Sequence, residues 1–219
     1  MVYNIAIDGP AGAVKSTIAK KVAKDLGFVY VDTGAMYRAL AVHFINRGID
    51  AKDKELVVEA VKEAEVSIKY IDGVQHVYLN GEDITGKLRT EEVGIMASMT
   101  SAIPEVRARL LELQRGLASS EDVIMDGRDI GTNILPNAEL KIYLTASVDT
   151  RAMRRYKELT EKGEDCDLEV IKKDIEDRDY RDMTRKTAPL KQAGDAHLVD
   201  SSYMNIEEVV EKIKALYNK

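Results

Sequence analysis

From Ile7 to Thr17 the chain reads IDGPAGAVKST. Glycine, four free residues, a second glycine, then lysine and serine or threonine is the pattern of a loop that cradles phosphate. Gly9, Lys15 and Ser16 fit it, and Val14 stands where the second glycine belongs. In such a loop the turn Gly9-Pro10-Ala11-Gly12-Ala13-Val14 and the start of the next helix offer backbone N–H groups as an anion nest. Lys15 would put a mobile positive charge on the outer phosphates, Ser16 would put a hydroxyl on Mg²⁺, and Thr17 closes the segment. The alternative is a turn that is merely rich in small residues. A strand before it and a helix after it favour phosphate binding.

Three further segments carry polar chemistry. DTGAMYR (Asp32 to Arg38) stands at the end of a second strand, where an open parallel sheet faces its ligand crevice. Arg38 could hold a phosphate there through its fork of donors, or be a surface arginine on a helix. In DGRDIG (Asp126 to Gly131) two carboxylates flank an arginine in a glycine-bounded turn, readable as a binding turn or a salt-bridged structural one. In DRDYRDMTRK (Asp177 to Lys186), Arg178, Arg181 and Arg185 are spaced three and four apart, so a helix should place them on one face. Beside a phosphate loop they read as a lid closing on a transferring phosphoryl group. With Asp179 and Asp182 among them they also read as an exposed ion-pair helix.

The elements that must position these residues follow from periodicity. Val2 to Ile7 reads as a buried strand, Lys15 to Leu26 as a helix with Ile18, Val22 and Leu26 on one face, Phe28 to Asp32 as a strand, and Gly34 to Gly48 as a helix. Further strands are expected at Asp122 to Asp126, Leu140 to Leu144 and His197 to Asp200. Helices are expected at Pro104 to Leu117, Thr150 to Glu161, Leu168 to Arg181 and Ile206 to Leu216. Alternating strands and helices imply a parallel sheet covered on both faces. EVSIKYIDGVQHVYLNGEDITGKLR breaks the rhythm: it alternates about Asp72-Gly73, with a second turn at Asn80-Gly81, and reads as a small antiparallel insert. It could serve the substrate side or be a decorative hairpin.

The 219 residues suffice for one large α/β domain with inserts, and 45% apolar with 32% charged residues is a globular composition. The net charge of -6 argues against non-specific nucleic-acid binding. No apolar run approaches the ~20 residues of a membrane span, and no signal peptide is read. The one cysteine, Cys166, cannot form an internal disulfide, so a reducing cytoplasm is expected. His43, His76 and His197 are scattered and are assigned to no metal site.

Taken together, IDGPAGA and KST, DTGAMYR, GEDITGKLRTEEV, DGRDIGT, RDYRDMTR and APL resemble, in order and spacing and nearly end to end, the bacterial cytidylate kinase or (d)CMP kinase family. The resemblance implies a P-loop NTPase-type parallel five-stranded sheet with helices on both faces, an antiparallel β insert and a helical lid. It implies one kinase domain with a core (1–32, 120–150 and 187–219), a monophosphate lobe (33–119, with the insert at about 64–88) and a lid (151–186). It implies transfer of a phosphoryl group from ATP, with Mg²⁺, to CMP or dCMP, by a cytoplasmic monomer without nucleic-acid or membrane partners. Position by position, it implies that Ser98, Arg107 and Asp129 read cytosine and that Arg178 and Asp182 hold the ribose. Arg38, Arg128 and Arg185 then surround the acceptor phosphate, Thr33 and Tyr37 lie on the substrate side, and Arg181 serves the transferred group from the lid. Lys15, Arg128, Arg181 and Arg185 are the expected catalytic residues.

The family has glycine where this chain has Val14. A β-branched residue there crowds a phosphate and, if the loop needs a left-handed backbone, costs about 1 to 2 kcal/mol. Impaired ATP binding is therefore expected. A (d)CMP-binding protein without catalysis, or a related small-molecule kinase, are the alternatives.

Overall fold

The computed structural model describes residues 2–217; residues 1, 218 and 219 of the expected core segments lie outside the described residues. The chain runs β1 (Asn4–Asp8), α1 (Lys15–Leu26), β2 (Val29–Asp32), α2 (Thr33–Asn46), α3 (Lys54–Glu63), β3 (Val66–Ile71), β4 (Val74–Leu79) and β5 (Glu82–Asp83). It continues with α4 (Glu91–Thr100), α5 (Pro104–Ser120), β6 (Val123–Gly127), a π turn at Ile130–Ile134, β7 (Leu140–Thr145), α6 (Val148–Glu161), α7 (Leu168–Thr184), β8 (His197–Asp200) and α8 (Ile206–Tyr217).

The five parallel strands lie in the order β2-β6-β1-β7-β8. Alternation along each strand feeds two opposite cores. Ile5, Ile7 and Ile124 pack with Ile18 and Val22 of α1 and Val209 and Ile213 of α8. Ala6, Val123 and Met125 face the other way, toward Met36, Leu40 and Phe44 of α2 and Val106 and Leu110 of α5. The α/β sheet covered on both faces is thus as expected.

The order of the strands creates the site. Register pairs Asp8 with Gly127 and Asp32 with Asp126, so the carboxyl ends of β1, β2 and β6 lie side by side. This brings three carboxylates to one edge of the sheet, where an open α/β sheet holds its ligand. The helices that follow start from that edge. Asp32 caps α2 by accepting from Ala35 N at 2.9 Å, and α1 opens directly from the loop after β1.

The insert forms an antiparallel sheet in the order β3-β4-β5, with left-handed Asp72-Gly73 and Asn80-Gly81 at its two turns. It is bonded to the core. Gln75 accepts from Asp32 N at 2.8 Å and donates to Asp32 O at 3.2 Å, and the Tyr70 hydroxyl donates to Tyr30 O at 3.1 Å. These side chains cover the open edge of β2.

Two helices go beyond the periodicity reading. In α3, Val57, Ala60 and Val61 are buried and Asp53 caps Leu56 N; in α4, Val93, Ala97 and Thr100 are buried and Thr90 caps Val93 N. Both are short, and small residues dilute their apolar stripes. α7 runs three residues past the expected end.

Gly9 sits where the loop crosses β7: a Cβ there would stand 1.9 Å from Leu144 O. At Gly27, which caps α1 with φ 73°, nothing lies within 4 Å of a built Cβ. Gly9→Ala should therefore cost more than about 3 kcal/mol, and Gly27→Ala only about 1 kcal/mol of left-handed strain. Urea unfolding of the two variants checks this, and equal losses would contradict it.

Candidate active site

The loop between β1 and α1 has backbone of alternating hand. Gly12 has φ 73° and Val14 has φ 51° with ψ 27°, so the valine is left-handed, the conformation a β-branched residue least favours. Its side chain is partly buried against the core beneath α1. Lys15 folds back on its own loop and donates from Nζ to Pro10 O at 2.8 Å, with 6% of its surface exposed. Burial, and after it the Arg128 charge, hold its ammonium well below the ordinary lysine range. Thr17 is exposed on the first turn of α1.

Ser16 Oγ donates to Asp126 Oδ2 at 3.0 Å, and Tyr30 donates to the other oxygen at 2.8 Å. Hydroxyl and carboxylate together form a small hard-oxygen set that fits Mg²⁺. Among the described residues no group of three or more His, Cys, Asp or Glu forms a metal cage. A site with few protein oxygens suits an ion that keeps waters and phosphate oxygens as ligands.

Two partners that carry no spacing signal grip the loop from above. Arg151 donates to Ala11 O at 2.8 Å and pairs with Asp179 at 2.7 Å, while Asp179 accepts from Ala11 N at 3.3 Å. Beneath the loop Asp8 accepts from Ile130 N at 2.7 Å and Gly131 N at 2.8 Å, tying the end of β1 to the turn after β6.

The cleft beside the loop is crowded with arginines. Arg128 Nε pairs with Asp182 at 2.8 Å, and Arg89 with Asp32 at 2.8 Å. Arg38 lies against Gly34 and Asp32, and Thr33 donates to Asp126 O at 2.8 Å. Burial pushes Arg38 down, and burial with the neighbouring Arg128 brings Arg178 down to about 10. Burial opposes ionisation of Asp182 too, but Arg128, Arg178 and Arg185 together outweigh it and hold the carboxyl below its ordinary value.

Deeper in, Arg107 donates to Asp129 Oδ2 and to Ser101 O, with its guanidinium 5.4 Å from the centroid of the Tyr37 ring. Arg185 donates to Ala188 O at 2.9 Å and stands 3.7 Å from Asp129 Oδ1. Four side-chain atoms here are buried without a partner: Ser98 Oγ, Arg107 Nε, Arg178 Nε and Arg185 Nη2.

The structure thus gathers Lys15, Ser16, Thr33, Tyr37, Arg38, Arg107, Arg128, Asp129, Arg178, Asp182 and Arg185 at the carboxyl edge of the sheet, and Ser98 lies on the same turn as Ser101, whose carbonyl accepts from Arg107 and whose hydroxyl accepts from Arg185. The shared helix face differs from the expected one. Arg178 and Asp182 face inward and Arg185 follows the helix as its cap, whereas Arg181 is exposed. Asp8, Arg89 and Arg151 went unread in the sequence. Asp8, at a strand end before Gly9, could have been found by its place.

A parallel sheet with a phosphate loop at its carboxyl edge and a buried cationic cleft beside it defines a P-loop α/β protein of the kinase kind. In agreement, a shikimate kinase from Bacteroides thetaiotaomicron superposes over 99% of both chains with a TM-score of 0.50 at 13% identity, a likeness of fold. The family model described as cytidylate kinase matches residues 5–219. Cytidylate kinases of Caldicellulosiruptor bescii and Shouchella clausii are 51% and 49% identical, over 99% and 96% of this chain and 96% and 94% of theirs. The chain belongs to the cytidylate kinase family.

Burial raises the Asp8 carboxyl from 3.8 to about 6, despite two backbone donors. The native state therefore takes up a proton near pH 6 that the unfolded chain takes up only near 3.8, so stability gains as pH falls through that window. His43, lowered by burial, works in the opposite sense, so the informative quantity is a difference. Relative to Asp8→Asn, the wild type should gain unfolding free energy between pH 7.5 and pH 5 in urea titrations. A constant difference would show that Asp8 does not titrate there.

Proposed function

We propose that this protein transfers the γ-phosphoryl group of ATP to CMP or dCMP, giving ADP and CDP or dCDP. It acts as a cytoplasmic monomer on free nucleotides. One observation carries the acceptor: two buried donors of the cytosine set, Ser98 Oγ and Arg107 Nε, have no hydrogen-bond partner, and the third member, Asp129, pairs with Arg107 through Oδ2 and leaves Oδ1 without a hydrogen bond. A ligand that satisfies them must offer more acceptors than donors along one edge. Cytosine does so, with its N4 amino group beside N3 and O2. Uracil would set its O4 against the carboxylate and leave both unpaired, at about 1 to 3 kcal/mol.

The roles follow from position. Tyr37 stacks beneath Arg107 and fixes its plane, while Arg178 and Asp182 take the ribose and Thr33 helps shape the wall of the cleft. Arg38, Arg128 and Arg185 hold the acceptor phosphate, whose oxygen bonds to the γ-phosphorus as the bond to the β-phosphate oxygen breaks. Residues 9–17 cradle the donor phosphates. Lys15 trades Pro10 O for them, and its charge, with those of Arg128 and Arg185, offsets the negative charge of the transferring group. Ser16 and Asp126 would hold Mg²⁺, which supplies further charge neutralisation when bound. Residues 151–186 form the lid that excludes water and brings in the exposed Arg181, and 33–119 form the monophosphate lobe on a core of 1–32, 120–150 and 187–219.

Val14 weakens the donor side. Its left-handed backbone is strained by about 1 to 2 kcal/mol, and a β-branched side chain at this position crowds the phosphate that the nest must hold. The buried lean of its side chain argues for weakened rather than abolished binding. The strain also favours a second reading, a (d)CMP-binding protein with little catalysis. A coupled assay of ADP formed from ATP and CMP tests both. Val14→Gly should tighten ATP by about tenfold while CMP affinity stays the same. Equal ATP affinity in the two forms removes Val14 as a cause, and no ADP from the glycine form removes the kinase reading.

A further inference from the structure

The surroundings of the Asp129 carboxylate are lopsided. Oδ2 accepts from Arg107 Nη2 and, at 3.1 Å, from Asn133 Nδ2, whereas Arg185 Nη2 stands 3.7 Å from Oδ1, outside hydrogen-bond reach. Asn133 is set in place by its backbone. Its N–H donates to Asp129 O at 2.9 Å, and Arg115 donates to Asn133 O at 3.0 Å and to Ile134 O at 3.1 Å. Asn133 is exposed and Asp129 only 3% so, which places the amide at the solvent side of a buried carboxylate.

We propose that Asn133 is a positioning residue: by fixing the Asp129 carboxylate with Oδ1 turned to the base, it sets the preference for an amino-bearing pyrimidine over a carbonyl-bearing one. The inference rests on the (d)CMP reading above. The terminal torsion of an aspartate is broad. A carboxylate held by Arg107 alone can swing, offer either oxygen, or turn toward Arg185. A second donor on the same oxygen removes that freedom. Rejection of uracil is complete only when the carboxylate cannot turn away from O4, so loss of Asn133 should weaken CMP and relax discrimination together.

Calorimetric titration of the full chain with CMP and with UMP, without ATP, tests this independently of Val14. Asn133→Asp keeps the shape, removes the donor and sets a like charge beside Asp129. It should raise the CMP dissociation constant about tenfold and leave UMP within about twofold, so the CMP-to-UMP preference falls about tenfold. Asn133→Gln, which keeps an amide on a longer arm, should recover part of the preference. A wild type that prefers CMP beside an Asn133→Asp variant with the same preference overturns the role of Asn133. So does a variant that loses both ligands alike, since a merely structural residue would do that. A wild type that binds CMP and UMP equally overturns the (d)CMP reading instead.

Discussion

Too many guanidinium groups for the carboxylates available is the condition around which the cleft is organised. Arg38, Arg107, Arg128, Arg178 and Arg185 share it with Asp32, Asp126, Asp129 and Asp182, and the exposed Arg89 joins Asp32 from the solvent side. Burial first, and the neighbouring guanidinium charges after it, depress the basicity of Arg38, Arg178 and Arg185. Burying charge at such a surplus opposes folding. The surplus persists because the rest of the chain holds it in place: strand ends carry the aspartates, α5 buries Arg107, and α7 delivers Arg178 and Asp182. An anionic ligand relieves the repulsion, so in the proposed reaction substrate binding and relief of stored electrostatic cost are one event.

α7 links the two halves of the site. Along one side it presents Arg178, Asp179 and Asp182, with Arg185 just past its end. Asp179 and its partner Arg151 hold both backbone groups of Ala11 in the phosphate loop, while Asp182 holds Arg128 on the other side of the cleft. A shift of this helix must change both contacts. The buried apolar support for α6 and α7 is small, Ala152, Ile171 and Ile175, with partly buried side chains such as Tyr156, Leu159 and Leu168 packed about it. An element with little core of its own and many polar ties is the kind that opens locally at low cost. That is the property the proposed lid needs if its position is to depend on the bound ligand.

Much of this was legible in the chain, and the limits are physical. The spacing of Ile18, Val22 and Leu26 and the stop at Gly27 placed α1 to the residue, because capping and amphipathic burial are local. Asp126 and Arg128 could be placed at the ligand edge, because strand ends in a parallel sheet share one side. Asp8, Asp32 and Asp126 could not be seen as one row, because that depends on strand order. The π turn at Ile130–Ile134 has no spacing of its own, and it is the turn that brings Asn133 back to Asp129. Arg151 and Asp179 meet across two helices, and neither spacing nor composition announces a pair of that kind.

Val14 shows the same limit from the other side. The residue type raised a question whose answer is the sign of one dihedral, and that sign is set by tertiary structure. The loop keeps its left-handed turn at residue 14 although valine resists it. The turn is over-determined: Arg151 and Asp179 pin Ala11, Arg151 packs against Gly12, and Ile18 N donates to Val14 O at 3.1 Å to begin α1. Ties on both sides of residue 14 outweigh a local preference of about 1 to 2 kcal/mol. The phosphate nest is therefore a property of the whole arrangement of β1, α1, α6 and α7, and a single unsuitable side chain strains it without erasing it.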